Sequence, residues 1–590
     1  MRAFLAVSVA PHAVARLPRP SEAVLACLSD HETEVRRVDE SPGGWVAFAG
    51  ADEGHPADLL GEPGGAFTVR LSKLLRTRDS EPATADLPAL IAAGAPLAGL
   101  LPPFAAAVRE RAGGPVVLAG DWLGYRQLYW WRGDGIAAVS TSARALSLLA
   151  GGGLDRSGLA AQAMIGWQVG DRTIFEGVRA LPPASIVSLA DGEATLRTYA
   201  EPLSLTGPVP SVDDAVAEMA EILLSLQSSL LRAHPDTVLQ LTGGHDSRIL
   251  LGAIPEKLRH GLTALTLGEP GHPDVVIAAR ISQRYGLRHD ARRLDDEHPT
   301  PADAHAVSLA AAEALECLAS PMALAPLLLT EAHLDQGYRL SGLGGEVARG
   351  FYYAGQPSGA ETSPRLVKRL AQWRIMANEA VEEAALAPAF RTEARDGAVE
   401  TLTGLFDSGD WLRATDQFYL YHRMHRWSGA HGTVAAVRRL AVNPMFDRRF
   451  IELALAVAPS EKRDSLLLGR LMSRLDPELA RMPLDSGLVP ARLGRRGAAT
   501  RLSLATVTAR KAARKVRQRL TQGRNPQLGA AGMAELVLAH WRAEPSAAKA
   551  LYDQPILDRG WLDGVFDGSR SAAPTTVAFL VNLLAAGPQG

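Results

Sequence analysis

The chain has few cysteines, no long apolar run and almost no excess charge, and each of these features disfavours a class of protein. Cys27 and Cys317 are its two cysteines among 590 residues, which is too few for a disulfide framework and favours reduced thiols in a cytoplasmic protein. No segment is apolar for long enough to cross a membrane, so we expect no membrane partner. The formal net charge of −2 gives no general attraction to nucleic acid, which we also do not expect as a partner.

Length and pattern predict at least two domains. With 47% hydrophobic and 21% charged residues, the chain can bury large cores. Residues 1–200 alternate short apolar runs with Gly/Pro turns, which predicts two stacked sheets, and residues 201–211 are predicted to be a linker. From residue 212 to 590 helical periodicity dominates, but strands are predicted at Thr237–Leu241 and Leu262–Leu267, with the spacing of an α/β unit. The strands predicted in the first region are Trp45–Phe48, Ala66–Leu71, Val116–Ala119, Ile136–Val139 and Ser185–Leu189.

The most informative stretch is residues 240–248, which read QLTGGHDSR. The two glycines let backbone N–H groups turn toward phosphate oxygens, and a helix that begins directly after them favours an anion. Asp246 would oppose a phosphate directly, so we predict that it binds Mg²⁺. No lysine follows the glycines as it does in a Walker A loop, which disfavours a kinase or GTPase. A plain strand-to-helix turn is the competing interpretation. The predicted phosphate contacts are Thr242, Gly243, Gly244 and Ser247.

A second glycine-dense turn repeats this plan at residues 338–346, which read YRLSGLGGE. A short apolar strand again leads into glycines and then a carboxylate, Glu346. Two such turns at the carboxyl ends of parallel strands can face a single Mg-pyrophosphate. We therefore predict that ATP binds between the turns, with Mg²⁺ held by Asp246 and Glu346.

These two turns resemble the asparagine synthetase-like ATP pyrophosphatases, whose pattern is Ser-Gly-Gly-x-Asp-Ser followed by Ser-Gly-x-Gly-x-Asp-Glu. The resemblance covers most of the chain, because it includes residues 120–129 (GDWLGYRQLY), 265–274 (LTLGEPGHPD) and 442–447 (VNPMFD). It implies an α/β fold: an N-terminal glutaminase-like (Ntn-type) αββα sandwich, then a synthetase domain with a parallel sheet of the ATP-pyrophosphatase type. It also implies that adenosine lies against the backbone of Gln240 and Leu267, with Ser341 and Gly342 on the phosphate side.

The chain departs from the glutamine-using members of that family at its start. Those members begin Met-Cys, whereas Met1 is followed here by Arg2. The N-terminal thiolate attacks the glutamine amide and the free α-amine serves as its base, so an internal cysteine cannot replace it. We therefore expect residues 1–200 to be a degenerate glutaminase-like domain without that chemistry.

Members that lack this cysteine are β-lactam synthetases and lasso peptide cyclases, which close an amide within one molecule. Leu343 stands where β-lactam synthetases have tyrosine and asparagine synthetases have glutamate, so the chain is most similar to the lasso peptide cyclases. That resemblance implies adenylation of an Asp or Glu side chain of a precursor peptide, followed by attack of the peptide's N-terminal amine. It also implies two partners, a leader-binding protein and a leader peptidase. A synthetase that uses free ammonia and a non-catalytic scaffold that binds ATP or a peptide stay open as alternatives.

Separate residues are predicted to assist amide formation as cation and as base. Relatives place a catalytic lysine in the segment that corresponds to Arg481–Gly487, which has none here. Arg481 and Lys462 are the predicted cations, although Lys462 is also compatible with a solvated charge after Pro459. His425 is the predicted base, because it and His422 share one face of a helix. Without a third ligand we do not expect this pair to bind a metal.

A basic segment spans residues 491–525, within a stretch from Asp485 to Glu535 that has no acidic residue between these two. A solvated helix face or loop explains such a run structurally. The functional alternative is a docking surface for an acidic partner, such as the leader peptide or its carrier protein. No aromatic residue is interleaved to stack on bases, which disfavours nucleic acid.

Overall fold

The computed structural model describes residues 3–28, 35–50, 58–62, 64–203, 211–294, 297–332, 334, 337–493, 504, 506, 509 and 529–587. These residues form a mixed α/β structure with two six-stranded antiparallel sheets and one five-stranded parallel sheet. The α/β class predicted from the sequence is therefore confirmed.

Both antiparallel sheets lie within residues 3–198. The first has the order β10-β8-β9-β1-β3-β2 and the second the order β12-β11-β7-β6-β5-β4. Every predicted strand of this region is present, and each observed bound lies within one residue of the predicted one. The strands are β1 Ala3–Val9, β2 Val35–Ser41, β3 Gly44–Ala49, β4 Leu59–Gly61, β5 Phe67–Arg70, β6 Ala105–Arg109, β7 Val116–Gly120, β8 Tyr129–Gly133, β9 Ile136–Ser140, β10 Arg179–Ala180, β11 Ser185–Ala190 and β12 Glu193–Thr198.

The two sheets pack face to face because alternate residues of their strands are apolar. On β1, Phe4 and Ala6 face the second sheet, whereas Leu5 contributes to a different core on the opposite side. The ring centre of Phe48 lies 5.4 Å from that of Phe4 and 5.1 Å from that of Phe67, so aromatic rings join the sheets. The sheets thus form a sandwich with a continuous apolar interior.

Helices cover the outer faces of this sandwich. The helices Ala143–Ala150 and Arg156–Ile165 share a core with the outer face of the first sheet. The helix Leu87–Ala93 packs on the outer face of the second, where its Leu87 and Ile91 meet β6, β7 and β11. The first 200 residues are therefore layered as helix, sheet, sheet and helix.

The parallel sheet lies in the second part of the chain and has the order β15-β14-β13-β16-β17. Its central strands are buried, as expected for a sheet with helices on both faces. The predicted strands at 237–241 and 262–267 are confirmed as neighbours, β13 and β14. The strands are β13 Val238–Gln240, β14 Thr263–Leu267, β15 Arg288–Arg292, β16 Arg339–Leu340 and β17 Ala441–Val442.

The helices of the second part surround and extend this sheet, and those of both parts share one large apolar core with the first sheet. Two segments, Ala371–Ile375 and Tyr419–Ser428, are π-helical. The α-helices of the described residues are Glu22–Ala26, Leu87–Ala93, Ala143–Ala150, Arg156–Ile165, Val212–Ala233, His245–Gly252, Glu256–Arg259, Pro273–Tyr285, Pro301–Ala314, Pro321–Ala332, Pro364–Leu370, Pro388–Gly404, Trp411–Phe418, Gly429–Arg438, Arg448–Ala456, Pro459–Lys462, Leu466–Leu475, Pro490–Leu493, Ala530–Ala543, Arg559–Phe566 and Pro574–Ala586.

Two sequence predictions fall largely outside the described residues. Residues 204–210 of the predicted linker lie outside them, and so does most of the basic segment 491–525. The domain boundaries therefore stay predictions. Both cysteines are free thiols, and no helix in the described ranges combines the length and apolarity of a membrane span.

Candidate functional site

The two glycine turns meet at one edge of the parallel sheet. Strands β13 and β16 are adjacent and parallel, with Leu239 opposite Leu340, so both turns leave the sheet at its carboxyl edge. A Cβ at Gly342 would lie 2.9 Å from the Cβ of Asp246, which puts the second turn against the start of the helix His245–Gly252. The sheet thus brings the two motifs into contact across about 100 residues of sequence.

The first turn is held by side chains of its own surroundings. The Oγ of Ser247 accepts from the backbone N–H of Thr242 at 3.0 Å and lies 3.0 Å from the Thr242 Oγ1. The backbone N–H of Gly243 donates to Asp274 Oδ1 at 2.7 Å, and that of Gly244 donates to Thr242 Oγ1 at 3.3 Å. The sequence predicted that these glycine N–H groups face phosphate. The Gly243 donor faces the Asp274 carboxylate instead, because the helix Pro273–Tyr285 begins beside the turn.

The two predicted metal acids lie within ion-pair distance of the same arginine. Arg349 Nη2 is 3.6 Å from Asp246 Oδ2 and 3.5 Å from Glu346 Oε1. Glu346 Oε2 also accepts from the backbone N–H of Gly344 at 3.1 Å. The other oxygen of Asp246, Oδ1, is buried and has no hydrogen-bond partner among the described residues. A buried carboxylate oxygen without a donor is costly, so this atom is a natural ligand for a cation.

Burial raises the pKa of Asp246 to about 7, the negative charge of Glu346 raises it as well, and the positive charge of Arg349 lowers it. The side chain keeps 19% of its surface exposed, so the group is reachable from solvent despite its surroundings. A carboxyl with a pKa near neutrality, close to one like and one opposite charge, is typical of a functional site.

Gly345 makes the approach to Asp246 possible. A Cβ at this position would lie 2.2 Å from Asp246 Oδ1 and 3.0 Å from the sulfur of Met445, so no other residue fits without displacing the carboxylate. Within the described ranges, no group of three or more His, Cys, Asp or Glu side chains could hold a metal. Two carboxylates nevertheless fit Mg²⁺, which commonly takes one or two protein carboxylates and completes its shell with phosphate oxygens and water.

The predicted nucleotide contacts also lie at this edge. Gln240 ends β13 and Leu267 ends β14, the next strand of the sheet. Ser341 follows β16 directly and donates its backbone N–H to the carbonyl of Val442 on β17 at 3.0 Å. The structure therefore places Gln240, Leu267 and Ser341 at the ends of three neighbouring strands, and their contact with a nucleotide stays a prediction.

Lys462 is not the solvated charge that its position after Pro459 suggested. Its side chain is fully buried, and its Nζ forms an ion pair with Asp416. The same carboxylate accepts from the hydroxyl of Tyr353, and the Lys462 Nζ lies 5.7 Å from that ring's centre. Lysine is almost never fully buried unless it is paired, so this lysine belongs to a buried polar cluster.

Arg481 ends the short 3₁₀ helix Leu479–Arg481 and its side chain is exposed. The chain reaches the site a few residues later, where the Asp485 backbone N–H donates to the carbonyl of Gly243 at 3.1 Å. Arg248 fixes this segment, because its guanidinium donates to the carbonyls of Met482 at 3.1 Å and Pro483 at 2.7 Å.

His425 belongs to the second part of the chain and packs against the first part. Its ring packs so closely on the 120–129 hairpin that a Cβ at Gly124 would lie 2.8 Å from Nε2, and Gln127 donates to its carbonyl at 2.7 Å. Burial lowers the pKa of His425 well below its usual value, and the nearby Arg426 charge lowers it further. This imidazole is therefore neutral at physiological pH, and its role as a base stays a prediction.

Three residues shape the site without having been assigned a role from the sequence: Arg349, and Arg248 and Asp274, which end the motifs 240–248 and 265–274. Only Arg349 carries a local signal, because it follows Glu346 by three residues, a spacing that places two side chains on one face of a helical turn. The other two act on partners distant in sequence, which no local pattern indicates.

No protein-family model matches this chain, and no curated protein matches it in sequence. The activity of the protein has therefore to be inferred from the geometry of the sheet edge.

Proposed function

We propose that the protein is an ATP-dependent amide-forming cyclase, similar to the asparagine synthetase-like ATP pyrophosphatases and most similar to the lasso peptide cyclases. It would adenylate an Asp or Glu side chain of a precursor peptide and close an amide with the peptide's N-terminal amine. In this proposal the sandwich of residues 3–198 is the glutaminase-like (Ntn-type) domain, and the parallel sheet belongs to the synthetase domain.

The observation that carries the proposal is the meeting of Asp246 and Glu346 at the carboxyl edge of the sheet, where Asp246 Oδ1 is buried without a donor. A scaffold that only bound a peptide would have no need of two acids that share one cation. Arg349 supplies that cation in the protein alone. In the proposed complex the two carboxylates hold Mg²⁺, which would offset the charge of the departing pyrophosphate.

The residues around the acids would bind the nucleotide. The carboxyl ends of β13 and β14, at Gln240 and Leu267, provide the backbone for adenosine. The start of the helix His245–Gly252 favours the phosphate anions, and the backbone N–H groups of the second glycine turn lie beside it. Ser247 fixes the first turn from inside and thereby sets the position of Asp246.

The reaction has two steps. An ionised carboxylate oxygen of the peptide attacks the α-phosphorus of ATP, the bond to the β-phosphate oxygen breaks, and pyrophosphate leaves. The peptide's amine nitrogen then attacks the acyl carbon, AMP leaves, and the amine loses a proton. Preorganised attack within one molecule lowers a barrier by about 7–11 kcal/mol, which exceeds the contribution of most single acid–base groups. A folded site that holds both ends of the peptide is therefore the main requirement.

The test is the intact mass of a candidate precursor peptide, cut at its leader junction and incubated with the protein, ATP and Mg²⁺. We expect the peptide to lose one water while AMP and pyrophosphate are released. The Glu346→Ala variant should abolish pyrophosphate release, whereas Glu383→Gln, an exposed acid paired with Arg395, should leave it unchanged.

An unchanged peptide mass would contradict the proposal. If ATP were then cleaved to AMP only in the presence of aspartate and ammonia, the protein would be a synthetase of a small amide. No cleavage of ATP under either condition would favour a non-catalytic scaffold.

A further inference from the structure

Three arginines surround one aromatic ring beside the two acids. The guanidinium carbons of Arg349, Arg374 and Arg423 lie 5.9, 5.8 and 5.5 Å from the centre of the Phe351 ring. Arg349 is also the residue between Asp246 and Glu346. The aromatic and basic group is therefore continuous with the proposed ATP site. We call Phe351, Arg374, Arg423 and Trp427 the arginine pocket.

Both further arginines come from π-helical segments. Arg374 lies in Ala371–Ile375, and Arg423 and Trp427 lie in Tyr419–Ser428. π-Helical turns cost stability relative to an α-helix and occur frequently at functional sites. Two separate π-helical segments thus direct their arginines to one ring, which a purely structural contact does not require.

The positive charges of the arginine pocket lack matching carboxylates. No described residue places a carboxylate within ion-pair distance of Arg374 or Arg423. The negative charge of Glu379 raises the pKa of Arg423 from a longer distance. Arg374 donates to the carbonyl of Phe351 at 3.2 Å, and Arg423 stacks on Trp427 with its guanidinium 4.4 Å from the ring centre. Burial lowers the pKa of Arg374, and the charge of Arg423 lowers it further, whereas Tyr352 raises it.

All four members of the arginine pocket are partly exposed, so a ligand can reach them from solvent. Tyr352 also interacts with the Arg423 guanidinium. A guanidinium has five N–H donors, more than these contacts use, and two guanidiniums fixed over an aromatic ring match the planar geometry of a carboxylate. A phosphate of the nucleotide has a similar chemistry. Titration with pyrophosphate as well as with a carboxylate probe distinguishes the two.

We propose that Arg374 and Arg423 bind the carboxylate that is to be activated, the Asp or Glu side chain of the substrate peptide, with Phe351 as the surface below it. The identity of this substrate rests on the proposed function. The two arginines keep the carboxylate ionised and position it beside the acids that would hold Mg²⁺. Trp427 stacks on Arg423, so its fluorescence should change when a ligand binds.

The test is tryptophan fluorescence of the full chain, titrated with N-acetyl-aspartate N-methylamide and, separately, with the asparagine analogue. We expect a saturable change with the aspartyl probe and none with the neutral analogue. Arg374→Gln and Arg423→Gln should each weaken binding at least tenfold. Arg395→Gln, an exposed arginine paired with Glu383, is the matched control and should bind as the parent does.

Arg374→Lys and Arg423→Lys keep the charge and most of the packing, so they test the site if a glutamine variant fails to fold. Each should retain weak binding of the aspartyl probe. Equal responses to the aspartyl and asparaginyl probes would overturn the assignment. It would also be overturned if inorganic pyrophosphate, and not the aspartyl probe, required Arg374 and Arg423.

The inference and the proposed function fail separately. Carboxylate binding that depends on both arginines, in a protein that never releases AMP and pyrophosphate, would keep the arginine pocket and refute the cyclase. Macrolactam formation with an unchanged KM for the peptide in Arg374→Gln and Arg423→Gln would keep the cyclase and refute the arginine pocket.

Discussion

Replacement of Asp246 by asparagine should abolish ATP cleavage and, in the absence of Mg²⁺ and nucleotide, stabilise the fold at about pH 8. The unfolded chain ionises this carboxyl near its ordinary pKa of 3.8, whereas the folded protein does so at about 7. The wild-type protein therefore loses stability as the pH rises from about 4 to about 7, because ionisation costs free energy only in the folded state. Asparagine keeps the shape and does not titrate.

The size of this effect follows from the pKa difference. At 1.36 kcal/mol per pKa unit, the difference corresponds to about 4 kcal/mol. The substitution also removes one of the two carboxylates near Arg349, at 3.6 Å, and leaves that arginine with Glu346 alone. This loss offsets part of the gain. We expect a net stabilisation of about 1–3 kcal/mol at about pH 8 and little difference at about pH 4.

The assay is urea unfolding followed by circular dichroism at several pH values, with chelator present and nucleotide absent. Asp171→Asn, an exposed aspartate 3.5 Å from Arg179, controls for the general effect of removing one negative charge. The reasoning is refuted if Asp246→Asn is less stable than the parent at about pH 8, or if the two proteins differ by the same amount at every pH.

Three further predictions concern the same region. Mg²⁺ with pyrophosphate should bind about tenfold more weakly at pH 6 than at pH 8, because a proton on Asp246 competes with the metal. Calorimetry measures this affinity, and an affinity that does not change with pH would exclude Asp246 as a ligand. Gly345→Ala should abolish pyrophosphate release with little change in melting temperature, because the alanine Cβ would lie 2.2 Å from Asp246 Oδ1. Pyrophosphate release by this variant would contradict the close approach of Gly345 to Asp246. Lys462→Met should destabilise the fold by about 3–5 kcal/mol in urea unfolding, since it leaves Asp416 buried without its cation. Adding Asp416→Asn to this variant should recover part of the lost stability.

Much of the sheet architecture follows from local pattern. Apolar runs between Gly/Pro turns identified β3, β5, β7, β9 and β11 of the sandwich, and the apolar runs before the glycines identified β13, β14 and β16. The meeting of the two glycine turns was also predictable, because the carboxyl ends of parallel strands share an edge. Asp246 and Glu346 lie at that edge for the same reason.

The electrostatics of the site could not be predicted from sequence, because they depend on distant partners. Lys462 is buried by pairing with Asp416, 46 residues earlier, and a lysine after Pro459 otherwise resembles any surface charge. The Gly243 N–H is taken by Asp274, 31 residues later. The neighbours that raise the pKa of Asp246, and the arginine that lowers it, become visible only when the sheet edge is assembled.

The first 200 residues contribute to the site by packing against the segment that supports the second glycine turn. The ring of Tyr125, in the 120–129 hairpin, lies 4.8 Å from that of Phe446, and Arg78 pairs with Asp447 at 3.0 Å. Phe446 in turn packs so closely under Gly344 that a Cβ there would lie 2.9 Å from its ring, and Gly344 has a φ of +104° that disfavours other residues. A continuous path of contacts thus runs from the sandwich to the turn that ends in Glu346. This path gives the sandwich a structural part in the candidate site, because it supports the turn that positions Glu346.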